Sequence, residues 1–395
     1  MSPPTTNGRV APAPGNGSQI DFDRLRAEHH RTCVAVMDDL DLDALVVGRE
    51  ATIQYVSGAR RFWTEGANPF NPGCVMIAGS GLVYLMSTWA DGVPAEIGHD
   101  QLYGMTWNGA TLAAELAAIP GLSESRRIGV DAMTPGAARL LHAVAPKADI
   151  EDASAVLTER RRIKTPDEQA CIRVAATVAD SALAHALAGL RPGVRGRELT
   201  GRVAERMAGL GVTTPDLEAV FSSSSPGGQA PVDELPAGAL VSCHVGAIYA
   251  GYEGEVVRTW LNPGAKGLAA VPTPGQRSLA ERWRALFDRL MEACRPGGNG
   301  TDLLAAYEMA GEPLPSGPVA HGVGLGMEPP LIGDGFPADA GATTGFAPGM
   351  VLFVSGQVVE PEVGTIVAGE TILITEGGHE LLTVHGHGPL GGGDG

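Results

Sequence analysis

The segment Val241–Trp260, VSCHVGAIYAGYEGEVVRTW, constrains this chain more than any other. An apolar lead-in at Ala239-Leu240-Val241, a turn around Tyr249-Ala250-Gly251 and a β-branched exit at Val256-Val257-Arg258-Thr259 predict a β-hairpin. Side chains alternate along a strand with period two, so an even-length loop puts His244 and Glu255 on one face of the sheet. With Tyr249-Ala250 as the loop the two stand directly opposite, their Cβ atoms about 5 Å apart. An imidazole facing a carboxylate is either a plain cross-strand ion pair or an acid–base or metal-binding unit.

Composition bounds the rest. A chain of 395 residues has room for about two or three domains with sizeable cores. The net charge is −17, and no Lys/Arg run exceeds the three arginines 160–162, so the basic footprint of a nucleic-acid binder is missing. Five cysteines, at 33, 74, 171, 243 and 294, are scattered without a CxxC, which points to reduced thiols rather than a disulfide framework or zinc knuckle. The first 19 residues lack the apolar core of a secretory signal, and no stretch reaches the roughly 18 uninterrupted apolar residues of a membrane span. The expectation is a soluble cytoplasmic protein with no membrane or nucleic-acid partner.

Along the chain, residues 1–19 are Pro/Gly/Ser/Thr-rich and read as a disordered tail. Residues 20–152 alternate helical and strand patterns. A helix over 22–40, a buried strand at Ala44–Val47, a strand at Ile53–Gly58, a hairpin around Gly79-Ser80-Gly81, a strand at Ile128 and a helix over 136–145 together make an α/β layer. The boundary is placed near Asp152-Ala153. Thr165, Pro166 and Glu168 then form a capping box that opens a long helix to about Gly189, and helices follow over 196–210, 278–294 and 301–309. The domain 153–383 ends in strands, and 384–395 is a Gly-rich tail in which His385-Gly386-His387 is read as incidental.

The hairpin resembles the one that carries two metal-binding aspartates in the pita-bread family of aminopeptidase P, prolidase, methionine aminopeptidase and creatinase. The frame is shared: Val245-Gly246-Ala247, then Val256-Val257-Arg258-Thr259, with the same spacing of eleven. The capping-box stretch 155–174 resembles the family's entry into its catalytic domain, and the ALVV and IQYVSG segments resemble its N-terminal domain. The resemblance spans about residues 22–383 and implies an α+β protein, a C-terminal pita-bread domain behind a smaller α/β creatinase-type domain. It also implies a homodimer in which the loop at Arg60-Arg61-Phe62-Trp63 reaches the partner's site. Arg60, Arg61 and Trp63 there suit a carboxylate-bearing or planar substrate.

The resemblance also implies five metal ligands: Asp, Asp, His, Glu and Glu. This sequence carries His244, Glu255, His321, Ser355 and Gly369 at the matching positions. His321 lies in HGVGLGMEPP, a segment one residue short of the family pattern, and Glu328 or Met327 stands where a second, substrate-contacting His is expected. The family's upstream Pro-His is absent from FSSSSPGGQAPV at 221–232. A pair of metals bridged by carboxylates is therefore not expected. His244, Glu255 and His321 are either a two-His-one-carboxylate set for a single Fe, Zn or Mn ion or a metal-free acid–base group, with Glu328 as a second carboxylate and Ser355 at the substrate. Three functions stay open. The first is a creatinase-like enzyme acting on a C–N bond or activated carbon of a small amino-acid-like molecule by hydrolysis or elimination. The others are a mononuclear-metal enzyme of specialised metabolism and an inactive binding protein. The retained ionisable groups favour an enzyme.

Overall fold

A computed structural model describes residues 20–386 apart from 60–71, 89, 91, 218, 226–227, 232–233, 265–268 and 337–342. The Arg60–Trp63 loop, the tail 1–19 and His387 lie outside the described residues. The chain divides into two compact units, with the break at Arg161/Arg162. That is later than the Asp152-Ala153 boundary read from the chain. The first unit takes in nearly all of a helix over 154–162, where Arg160 pairs with Asp39 and the Arg161 guanidinium lies 5.6 Å from the centre of the Tyr55 ring.

In the first unit α1 (Phe22–Asp39) is capped by the Asp21 side chain and buries Leu25, His29, Cys33, Val36 and Met37, one stripe at helical spacing. Then follow β1 (Ala44–Val47), α2 (Glu50–Ser57), β2 (Cys74–Ile77), β3 (Val83–Met86), β4 (Leu102–Tyr103), α3 (Gly109–Ala117), β5 (Arg127–Val130), α4 (Pro135–Val144), β6 (Asp149–Asp152) and α5 (Ser154–Arg162). The strands form one mixed sheet in the order β4-β3-β2-β1-β5-β6. Helix α2 replaces the strand expected at Ile53–Gly58. A short apolar run is ambiguous between the two, and here Gly58 in the left-handed conformation caps a helix by donating to Gln54 O.

The second unit opens with α6 (Pro166–Leu187), whose capping box is formed by Thr165 and Glu168 as expected. By length and composition α6 is apolar enough to cross a membrane, but 61% of its apolar window is buried inside the structure, the mark of a core helix. After it come α7 (Gly196–Gly209), β7 (Pro215–Leu217), β8 (Ser222–Ser225), β9 (Gly228–Pro231), β10 (Leu240–Tyr249), β11 (Tyr252–Leu261), α8 (Pro274–Ala293), α9 (Gly300–Ala310), β12 (Ala320–Gly324), β13 (Gly326–Ile332), β14 (Val351–Glu360), β15 (Gly364–Thr375) and β16 (Gly378–Leu381). They build a sheet in the order β13-β12-β14-β15-β11-β10-β8-β9, with β7 on β10 and β16 on β15.

Helices α6 and α8 pack on one face of this sheet. A Cβ at Gly254 would lie 2.3 Å from the backbone nitrogen of Ala176, so the alanine-lined α6 rests directly on β11. Further along, the Trp283 indole donates to Gly356 O. Because residues alternate, the even-numbered positions of β11, β14 and β15 face these helices and the odd-numbered ones face the other way. The helix side holds Val354, Val358, Ile366, Ala368 and Ile372 in one core with Leu286, Phe287 and Leu290. It also buries an ionic network. Arg258 lies 2.8 Å from Glu370 Oε1 and 4.0 Å from Asp180 Oδ1, all three no more than 3% exposed.

The C-terminal segment closes over that network. Val384 N, His385 N and His385 Nδ1 each lie 2.8 or 2.9 Å from Asp180 Oδ2, and Thr383 Oγ1 donates to Glu370. The tail expected from residue 384 is therefore anchored at its start, and His385 is part of the anchor. Nothing within the strand pattern signals this, because Asp180 comes from a helix two hundred residues earlier in the chain.

Candidate active site

The hairpin turns at Ala250-Gly251, both at positive φ, as a two-residue loop that matches strand twist requires. Tyr249 thus pairs with Tyr252, and His244 stands opposite Val257 while Glu255 stands opposite Gly246. The expected direct His244–Glu255 opposition is corrected to a diagonal, because the loop lies one residue later than read. The shared face survives, since both loops have even length. The two side chains meet, His244 Nε2 lying 2.7 Å from Glu255 Oε2. That Nε2 lies beside the carboxylate without an aligned hydrogen bond.

The register assembles the rest of the face in two rows. One row runs His321, Phe353, Thr371, Glu255 and Gly246 across five strands. The other runs Ser355, Gly369, Val257 and His244. The two rows bring His321 Nε2 to 3.2 Å from Glu255 Oε1, so one carboxylate spans both imidazoles. Thr371 Oγ1 fixes the strand that carries it, accepting from Glu255 N–H at 3.1 Å and donating to Glu255 O at 2.8 Å. The Phe353 ring packs against both imidazoles, with centroids 4.9 Å from His244 and 5.5 Å from His321. Glu255 and His321 are buried, whereas the His244 side chain is 36% exposed and forms the open side of the group.

The charges follow from these contacts. Burial alone would raise the Glu255 carboxyl, but the two imidazoles outweigh it and bring it down to about 2. Burial alone would lower His321, yet its contact with Glu255 raises it above the ordinary histidine value. Its other nitrogen, Nδ1, lies 3.1 Å from Gly322 O. Both ring nitrogens of His321 thus face acceptors, which favours the imidazolium.

Two acids on this face were missed in the sequence. Glu253, two residues before Glu255 on β11, shares its face, a placement that strand periodicity alone supplies. Asp216 on β7, the strand that pairs with β10 at Gly246, gave no local signal. Burial, Asp216 and the neighbouring glutamates raise the Glu253 carboxyl well above its usual range. Phe353, two residues before Ser355, was also legible by period two and was missed.

Glu328 does not join the histidine group. It forms a buried ion pair with Lys164, Nζ to Oε2 2.7 Å, while its neighbour Met327 is 60% exposed. The structure thus places Glu328, expected as a second site carboxylate, against the lysine of the entry stretch rather than beside the two histidines. Ser355 lies on the site face beside Gly369. A Cβ at Gly369 would come within 2.7 Å of Ser355 Cβ, so no larger residue fits there without movement.

Residues 170–376 match the model of metallopeptidase family M24, and residues 30–163 match that of the creatinase/prolidase N-terminal domain. A Xaa-Pro dipeptidase of Pyrococcus horikoshii is 24% identical over 90% of this chain and 97% of its own. An uncharacterized peptidase, YqhT of Bacillus subtilis, is 27% identical over 65% of this chain and 73% of its own. Among solved structures, a Xaa-Pro dipeptidase from Bacillus anthracis superposes with a TM-score of 0.74 at 18% identity, covering 92% of this chain and 99% of that one. The X-Pro aminopeptidase of Thermotoga maritima gives 0.74 at 14%, over 91% and 99%. The α+β architecture, a pita-bread domain behind a creatinase-type domain, is thus the fold of this chain, which belongs to metallopeptidase family M24.

Proposed function

We propose that this protein is an enzyme that acts on a C–N bond or an activated carbon of a small amino-acid-like molecule, by hydrolysis or elimination, without the dinuclear metal centre its family membership implies. The observation that carries this is the single carboxylate of Glu255 held between His244 and His321. A pair of divalent ions needs bridging carboxylates. The positions that would supply two of them hold Ser355 and Gly369, and the packing at Gly369 leaves no room for a glutamate.

The chemistry is acid–base. Glu255 orients the two rings. His321, held as a cation, stabilises negative charge developing on the substrate, and the half-open His244 takes a proton from water or carbon and returns it to the leaving nitrogen. Phe353 walls the group and keeps water from the buried side. We further propose a homodimer, on the strength of the resemblance, and a small-molecule substrate.

A single divalent ion held by His244, Glu255 and His321 is the second reading. One observation favours it: Nδ1 of His321 is tied to a backbone carbonyl, the usual way of presenting Nε2 to a metal. Against it, the two Nε2 atoms address different oxygens of one carboxylate.

The test is an assay of the purified protein on Xaa-Pro dipeptides with Mn²⁺ or Co²⁺, alongside elemental analysis. No metal-dependent cleavage and no stoichiometric metal are expected. Robust metal-dependent release of the N-terminal residue would overturn the proposal. One tightly held ion without that activity would select the second reading.

A further inference from the structure

The pair Lys164–Glu328 stands outside the chemistry above, and both side chains are nearly inaccessible, at 3% and 8% exposure. Two charges buried together seldom gain in stability over an apolar pair of the same size, so stability is a poor reason for having them. Geometry offers a better one. Lys164 is delivered from fixed backbone: its N–H donates to Gly349 O at 2.9 Å, its carbonyl accepts from Gln169 Nε2 at 2.8 Å, and the next residue is the helix cap Thr165.

Glu328 receives that ammonium from β13, where it pairs with Gly322, the residue after His321. The β12–β13 register shifts between His321 and Gly322. The Glu328 carboxyl is drawn across β12 into the space a side chain at Gly324 would fill, 2.6 Å from that Cβ position. Gly322 also supplies the carbonyl that His321 Nδ1 addresses.

We infer that Lys164 is a positioning residue for His321, acting through Glu328: the ion pair fixes the irregularity in β12 and so sets the direction of the Gly322 carbonyl and the imidazole bound to it. The inference rests on His321 belonging to the site, but its test needs no turnover, so it can fail while the proposed function stands, and the reverse.

The test uses the full chain with isotope-labelled histidine and follows the Nδ1–H signal of His321, which its hydrogen bond keeps from rapid exchange. Lys164→Met should lose or shift that signal, and Lys164→Arg should restore it. His379, whose Nδ1 faces Cys294 O far along the sheet, serves as the control and should not move. Because Lys164→Met leaves an unpaired buried charge, the double variant Lys164→Met/Glu328→Met provides a folded comparison, and it should lose the His321 signal too. A folded double variant with an unchanged His321 signal would overturn the inference. So would a shift shared equally by His379, which would mark general loosening.

Discussion

The two faces of one sheet in this protein carry two kinds of buried charge, and alternate residues of the same strands supply them. On the helix side, Arg258 and Glu370 meet Asp180 and are enclosed by Thr383–His385, at no more than 3% exposure for the three charges. On the open side, Glu255 meets His244 and His321, and His244 keeps a third of its surface in solvent. The first network joins a helix, two strands and the C-terminal segment, so its purpose is cohesion. The second leaves an ionisable group at an opening, the side on which we propose the chemistry occurs. Period two lets β11 and β15 serve both, because a change at an odd position leaves the even positions facing the helices untouched.

Mutations on the two faces should therefore separate stability from turnover. The largest stability loss belongs to the closed face. Arg258→Met strands Glu370 and Asp180 without their cation and should cost roughly 3–5 kcal/mol in denaturant titration. A loss below about 1 kcal/mol would dissolve the contrast. His244→Ala on the open face should reduce turnover of a true substrate by about 100-fold or more while changing stability by under about 1 kcal/mol. A fully active variant would make this face a binding surface.

The pH dependence sharpens the comparison further. Glu255 is held below its ordinary value, so its stabilising contribution is present above about pH 4.3, the unfolded value, and is lost as pH falls toward 2. His321 is raised, so its contribution is present below about pH 6.5 and is lost as pH rises through its folded value. The two share one contact, which is counted once. Glu255→Gln should flatten both limbs relative to wild type, by on the order of 2 kcal/mol at the plateau between them. Unchanged stability curves would mean that the contact is absent in solution. The smallest effect is expected at His385, where replacement by Ala removes one charge-assisted contact to Asp180 at a half-exposed side chain and should cost about 1 kcal/mol. A silent variant would show that the backbone donors of Val384 and His385 hold the segment alone.

Much of this was legible along the chain. The hairpin frame, the Thr165–Glu168 capping box and the pairing of His244 with Glu255 are local matters of periodicity and cap chemistry, and they recur in the structure. The turn position was off by one residue, and the sum of loop and register was forgiving because a shift by two positions keeps the face. Glu253 and Phe353 follow from the same period of two, each two positions from a residue matched to the family. Helix α2 differs from the expected strand because a short, partly apolar run does not distinguish strand from helix until a left-handed Gly58 fixes the end.

What the sequence determined by itself was which residues share a face, since alternation and caps act over a few neighbours. What only the tertiary structure decided was which of them meet. His321 reaches Glu255 because β14 and β15 lie between their strands in a particular order, and Glu328 is taken away from them by a lysine 164 positions earlier. Asp180 holds the C-terminal segment from a helix on the far side of the chain's course. Such contacts join elements by long-range packing, where the burial of apolar faces sets the spacing and the charges settle into the partners that packing brings within reach.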